Sequence, residues 1–344
     1  MVCKNCVVTA LSYTIKFEGS QNIALLPLVS THLARRGFKA GIRDRKIKIG
    51  EAGAKEFLDF SEDILDMHEL TFCVDDGPWR PLSEMREILA TSWIDELLQA
   101  SAVVSYSQPI VNRERQIIAY EILSRFVRED GSLIYPNEVF DAARTRGRLY
   151  ALDRMCRMAA VRHAKVVDKK VFINFIPTSI YSPAHCLQST EQLANTLGVD
   201  PDCFVFEVVE SDDVADIAHL REILAYYKTK GFQYALDDVG EGFNTIERLT
   251  DLQPDYMKLD IGYVRGVHAD AEKQRVAQLF LQKAQEVGAT PLAEGVEDEA
   301  DFAWLREAGY ELFQGYLFGK PSAIPQRELP PLEVKRAYKK TLEA

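Results

Sequence analysis

From about residue 100 the chain alternates short apolar runs with amphipathic segments, and this alternation restricts the fold more than any other feature. Residues 103–111 and 116–125 read as strands. After a long helical stretch come strands at 171–176, 203–208, 233–237, 256–259, 290–294 and 312–316. The segments between most of the later strands have helical spacing. In IAHLREILAYYKTKG, Leu220, Ile223, Leu224 and Tyr227 share a face, and Gly231 marks the stop. Eight strands interleaved with helices predict a β/α barrel of the TIM type. The first connection, NRER between residues 111 and 116, is too short for a parallel crossover. The barrel should therefore be irregular, its first strand running antiparallel.

Residues 1–98 form a separate unit on this reading. Strands at 7–17, 38–43, 46–50 and 69–74, with helices at 23–36 and 54–65, give a β-α-β-β-α-β order and a small α+β sandwich. The turn residues of DDGPWRPLSEM place a boundary there, and a single helix is expected over 83–100, with Ile88, Leu89, Trp93 and Leu97 on one face. The barrel is expected over 99–330 and a tail over 331–344, whose KRAYKK reads as a solvated helix face.

The 344 residues carry a net charge of −11, which argues against nonspecific binding to nucleic acid or anionic membrane. An anionic substrate would then need bound cations. MVCKNCVVTAL has no basic-then-apolar signal pattern and no run is long enough to span a bilayer, so a cytoplasmic location is expected. The six cysteines are scattered rather than arranged as a disulfide scaffold.

The strand ends concentrate the chemistry. FQYALDDVGEGFNTI finishes a strand on Asp237 and Asp238, whose side chains would face opposite ways if the strand continued. Glu207 and Glu210 lie in FVFEVVES, Lys258 and Asp260 in YMKLD, and Glu294 and Glu297 in PLAEGVE. Asn174 sits in VFINFIP and Glu121 in IIAYEILSR. Unpaired, so many carboxylates on one rim would repel and be costly to desolvate. Hard divalent cations resolve the conflict, and an oxygen set of carboxylates, water and one amide suits Mg²⁺ or Mn²⁺, two ions to the site. Two ions clamp the attacking and leaving oxygens of a phosphoryl displacement. The residues thus read as a metal-dependent phosphodiesterase.

At these positions the sequence resembles the EAL-domain cyclic di-GMP phosphodiesterases. YEILSR is similar to Glu-Ala-Leu-x-Arg, FEVVES to Glu-x-x-Glu and LDDVGEG to Asp-Asp-Phe-Gly-Thr-Gly. YMKLD is similar to Lys-Ile-Asp, AEGVED to Ala-Glu-Gly-Val-Glu-Thr and FQGYLFGKP to Gln-Gly-Tyr-x-Phe-x-Lys-Pro. Six motifs match in order over about residues 100–325. The resemblance implies hydrolysis of cyclic di-GMP to linear pGpG by a homodimer joined through the barrel. It implies Glu121, Asn174, Glu207 and Asp237 at one metal, with Asp237, Asp238 and Asp260 at the other. Lys258 and Glu294 would position or deprotonate the water, and Glu210 would hold the Asp238 loop. Gln108, Leu123, Arg125, Glu297 and Gln314 would meet the dinucleotide. Ile122 replaces the motif alanine, and Val239, Glu241 and Phe243 depart from the family's Phe, Thr and Tyr. The alternative is a cyclic di-GMP receptor or protein-interaction module. Cys3-Lys-Asn-Cys6, with His32 or Cys73, raises a zinc or redox switch, which a lone Cys-x-x-Cys supports poorly.

Overall fold

The computed structural model describes residues 7–128, 130–180, 182–208, 217–239 and 246–329. It opens with β1 (Ser12–Phe17), α1 (Ser20–Arg35), β2 (Gly41–Arg43), β3 (Lys46–Gly50) and α2 (Glu51–Ser61). β4 (Leu70–Val74), β5 (Arg80–Pro81), α3 (Met85–Ala90) and α4 (Trp93–Ala100) follow. Next come β6 (Val103–Asn112), β7 (Ile117–Val127), β8 (Leu133–Ile134), α5 (Pro136–Thr145) and α6 (Leu149–Val167). The chain continues through β9 (Lys170–Phe175), α7 (Pro183–Cys186), α8 (Gln188–Leu197), β10 (Phe204–Val208) and α9 (Ile217–Thr229). It ends with β11 (Gln233–Val239), α10 (Ile246–Leu252), β12 (Tyr256–Leu259), α11 (Ile261–Val264), α12 (Ala271–Val287), β13 (Thr290–Ala293), α13 (Glu299–Ala308) and β14 (Leu312–Gln314).

Two compact units result. Residues 1–102 cluster with 126–155, and 103–125 with 156–344. In the first, an antiparallel sheet has the order β2-β3-β1-β4-β5. Strict alternation in β1 turns Tyr13, Ile15 and Phe17 inward. They join Val29 and Leu33 of α1 and Phe57 and Leu58 of α2 in one apolar cluster. An ionic knot ties in the returning segment. Arg146, just past α5, bonds Glu51 at 2.6 Å and Asp95 at 2.7 Å, and Arg148 bonds Asp95 at 2.8 Å.

The helix expected over 83–100 is broken. Thr91 turns its hydroxyl onto the Ile88 carbonyl at 2.7 Å, and the chain restarts as α4 after Ser92. The restart rotates the apolar face, burying Ile94 in place of the expected Trp93.

In the second unit, β6-β14-β13-β12-β11-β10-β9-β7 close into an eight-stranded barrel through the β6–β7 pairing. β6 runs antiparallel to β14, as the short NRER connection requires, while β7, β9, β10, β11, β12, β13 and β14 run parallel to one another. Helix-facing side chains pack densely, as where Phe206 stacks on Tyr227 at 4.1 Å and meets Phe232 edge-on. Inside the barrel, Ile110, Ala119, Phe172, Val205, Ala235, Tyr256, Leu292 and Leu312 form an apolar plug. Each of the eight strands contributes one of them.

Candidate active site

The plug positions the site through the two-residue period of a strand, because a residue two places on faces the same way. Two residues beyond the plug along the parallel strands stand Glu121, Asn174, Glu207, Asp237, Lys258, Glu294 and Gln314. On antiparallel β6 the step runs backwards, from Ile110 to Gln108. A polar ring therefore lies directly on an apolar layer, at the C-terminal ends of the parallel strands. That is where barrel active sites form.

Lys258, 1% exposed, anchors the ring. Its Nζ lies 2.6 Å from Glu207 and 2.8 Å from Asp237, and also ion-pairs with Glu294. Opposite, Glu121 accepts from Asn174 Nδ2 at 2.8 Å and from Gln314 Nε2 at 2.5 Å. Gln314 also donates to Gln108 Oε1 at 3.1 Å, and Gln108 donates to the Gly319 carbonyl. Gln314 is held in place by the next residue. A Cβ on Gly315 would come 2.0 Å from the Val296 carbonyl oxygen, so only glycine admits that strand crossing.

Asp237 and Asp238 reach the same region because β11 does not continue regularly. Its pairing with β12 shifts between Leu236 and Val239, and Asp238 has φ +47°. This bulge turns the second carboxylate away from the alternation, in a left-handed conformation that aspartate tolerates better than most residues. Asp260 lies one step beyond Lys258 and caps α11 through the Gly262 amide at 2.6 Å.

Fully ionised, the carboxylates of this region outnumber the cations that face them. Among the described residues, Glu121, Glu207, Asp237, Asp238, Asp260 and Glu294 face a single ammonium, Lys258. Burial and then the neighbouring carboxylates push Glu294 well above the usual range. Glu207 rises likewise from burial, although Lys258 opposes it. Burial and Asp237 raise Asp238 to about 7. Burial would raise Glu121 too, but Lys258 and the Gln314 and Asn174 amides bring it below the ordinary value. Lys258 itself is held well above its usual value by Asp237, Glu207 and Glu294, against the cost of burial. Among the described residues, neither buried oxygen of Glu207 has a hydrogen-bond partner apart from Lys258. Carboxylate oxygens of Glu207, Asp237 and Glu294 lie within 4.8 Å of one another. This acidic, oxygen-only cluster fits a hard divalent cation.

The remaining expected residues are dispersed. Leu123 and Arg125 continue the inward face of β7, and the Arg125 guanidinium sits 5.5 Å from the centroid of the Tyr106 ring. Tyr106 was not among the expected residues, yet its place two residues before Gln108 on β6 signals the shared face. Glu297 is half-exposed and ion-pairs with Arg265 rather than with the ring. Glu210, Glu241, Phe243, Cys3, Cys6 and the KRAYKK tail lie outside the described residues. His32 bonds Glu56 at 2.7 Å and stacks on Phe60, while Cys73 is buried in β4. No helix among the described residues is long and apolar enough to cross a membrane.

Fold and ring together define a β/α-barrel protein with an acidic, oxygen-rich mouth. The model of the EAL domain family matches residues 91–321, and the chain belongs to that family. Among curated relatives, the probable cyclic di-GMP phosphodiesterase PdeG of Escherichia coli K12 is 30% identical over 230 residues, covering 64% of this chain and 44% of PdeG. The blue light- and temperature-regulated antirepressor BluF of the same organism is 26% identical, covering 62% of this chain and 52% of BluF. The chain thus spans about half or less of these relatives. A standalone EAL protein from Vibrio cholerae O395, solved with c-di-GMP bound, is 35% identical with a TM-score of 0.58, covering 66% of this chain and 94% of that one. The Xanthomonas citri FimX EAL domain, at 19% identity and TM-score 0.64, shares the fold over 72% of this chain and 98% of its own.

Proposed function

We propose that the chain is a divalent-metal-dependent phosphodiesterase that opens one phosphodiester of cyclic di-GMP to give linear pGpG. The observation that carries this reading is the ring itself, four carboxylates, three amides and one buried lysine over an apolar plug, with Asp238 and Asp260 beside it bringing the carboxylates to six. Two divalent ions would bring its charge to within one unit of neutrality. Glu121, Asn174, Glu207 and Asp237 would hold one ion, and Asp237, Asp238 and Asp260 the other. When bound, Mg²⁺ or Mn²⁺ supplies Lewis acidity and lowers the pKa of a coordinated water. Lys258 is charged in this setting, so it orients the attacking water and meets the developing phosphoryl charge instead of acting as a base. Glu294 shares that water. Gln108, Leu123, Arg125, Glu297 and Gln314 receive the dinucleotide. The neighbour from Vibrio cholerae, solved with this nucleotide, supports the choice of ligand.

On this reading the protein works as a cytoplasmic homodimer, and residues 1–98 regulate the barrel. A receptor without turnover is the second reading. Val239, Glu241 and Phe243 in the loop after Asp238 favour it, and the antirepressor BluF is a relative. The separating experiment is Glu121→Ala assayed for pGpG. Loss of hydrolysis with an unchanged melting temperature supports a metal ligand, because the residue packs no core. Wild-type rates in the variant would remove Glu121 from the site.

A further inference from the structure

Above the polar ring, the barrel wall carries a contact that the metal chemistry leaves unused. On β7, Leu123 and Arg125 stand two and four residues beyond Glu121 and share its inward face. On antiparallel β6 the matching step runs backwards, from Gln108 to Tyr106. Tyr106 and Arg125 are both half-buried, and the guanidinium sits 5.5 Å from the centroid of the tyrosine ring. That separation lies within the ~6 Å over which an aromatic face attracts a cation. Tyr106 belongs to none of the six matched motifs.

Arg125 is otherwise lightly held. Its Nη1 donates to the carbonyl of the preceding residue, Ser124, at 2.8 Å. Among the described residues it forms no ion pair. Four residues of strand put it about 13 Å along β7 from Glu121. A guanidinium carries five N–H donors in a rigid fork, so most of its hydrogen-bonding capacity stays open. Two effects work against its use. A long side chain that turns freely loses rotamer entropy when it meets a ligand, and the carboxylates below draw a loose cation toward themselves. The Tyr106 ring opposes both, since its π face holds the cation without occupying an N–H with an acceptor atom.

We propose, on the reading that Arg125 receives the dinucleotide, that Tyr106 is the positioning residue for this contact. It keeps the guanidinium on the wall above the metal ligands, where the open donors meet an oxygen acceptor of the nucleotide. Tyr106 acts through Arg125 and touches no reacting atom. Its contribution is therefore the same in the bound substrate and in the transition state, and such uniform binding appears in KM and not in kcat.

The test uses the whole chain with cyclic di-GMP. Calorimetric titration with Ca²⁺ present gives Kd, and pGpG formation with Mg²⁺ gives KM and kcat. Tyr106→Leu, which removes the π face, should raise Kd and KM by about two- to thirtyfold, the span of one cation–π contact, while kcat holds. Tyr106→Phe, which keeps the ring, should restore most of the affinity. In an Arg125→Ala background Tyr106→Leu should cost nothing further, because the two residues act as one unit. A full additional loss in that background would overturn the proposal, as would an equal loss in Tyr106→Phe or a fall in kcat at unchanged KM. A merely packing role would give the first of these together with a lowered melting temperature. Absence of cyclic di-GMP binding by the unsubstituted chain would instead overturn the functional reading itself, and this role with it.

Discussion

Lys258 shows how a single residue can set the character of a site. It is fully buried, and three ion pairs from β10, β11 and the end of β13 surround its ammonium. Removing one partner from a buried charge network strands the others. Lys258→Ala should therefore lower kcat by about 10²–10³, the loss typical of one preorganised electrostatic donor, with cyclic di-GMP still bound. Recovery of kcat by excess Mg²⁺ would instead make Lys258 a counter-ion for the acids. The residue's importance is legible in YMKLD, where it is a lone cation at an acidic strand end. Asp237 and Glu294 are expected beside it on the same acidic rim, whereas the ion pair with Glu207 depends on how the strands are ordered around the barrel. The double aspartate is a similar case. DD announces that regular alternation must fail, but the bulge and the left-handed φ of Asp238 belong to the β11–β12 pairing.

Among elements, the barrel strands are the most legible because they are short apolar runs with helical segments between them. The polar ring follows from them by counting: two residues past each plug position on parallel strands, two before on β6. The break between α3 and α4 is less legible, since a back-bonded Thr91 looks like any helix threonine in sequence. The ionic knot around Arg146 is hidden as well, for it joins residues 51, 95, 146 and 148 across the chain. It has a consequence in acid. Burial alone would raise Asp95, but hydrogen bonds from Arg146 and Arg148 hold it below its ordinary value. A carboxyl lowered in the folded state contributes stability above its unfolded pKa, about 3.9, which is lost as pH falls through the lower folded value. Acid unfolding followed by circular dichroism should thus be less steep for Asp95→Asn than for wild type below about pH 4. Parallel acid slopes would remove Asp95 from the balance.

At the scale of the whole molecule, two compact units share one chain, and the 126–155 segment groups with residues 1–102 although it follows two barrel strands. Such a return is set by long-range packing and leaves no local signature. The first unit carries a cavity of about 350 Å³, and the second an acidic mouth whose carboxylate cluster has the donor set of a hard divalent cation. A homodimer through the barrel is expected, and light scattering at micromolar protein with nucleotide should give twice the chain mass. A monomer under those conditions would refute it.

The acidic ring as a divalent-metal site for phosphodiester hydrolysis is tested most directly by following pGpG formation from cyclic di-GMP against metal. Mg²⁺ or Mn²⁺ should support turnover, excess EDTA should abolish it, and Ca²⁺ should suppress it, because the larger ion fits tight octahedral geometry poorly. Full turnover in EDTA, or cyclic di-GMP recovered intact with Mg²⁺ and Mn²⁺ present, would contradict it.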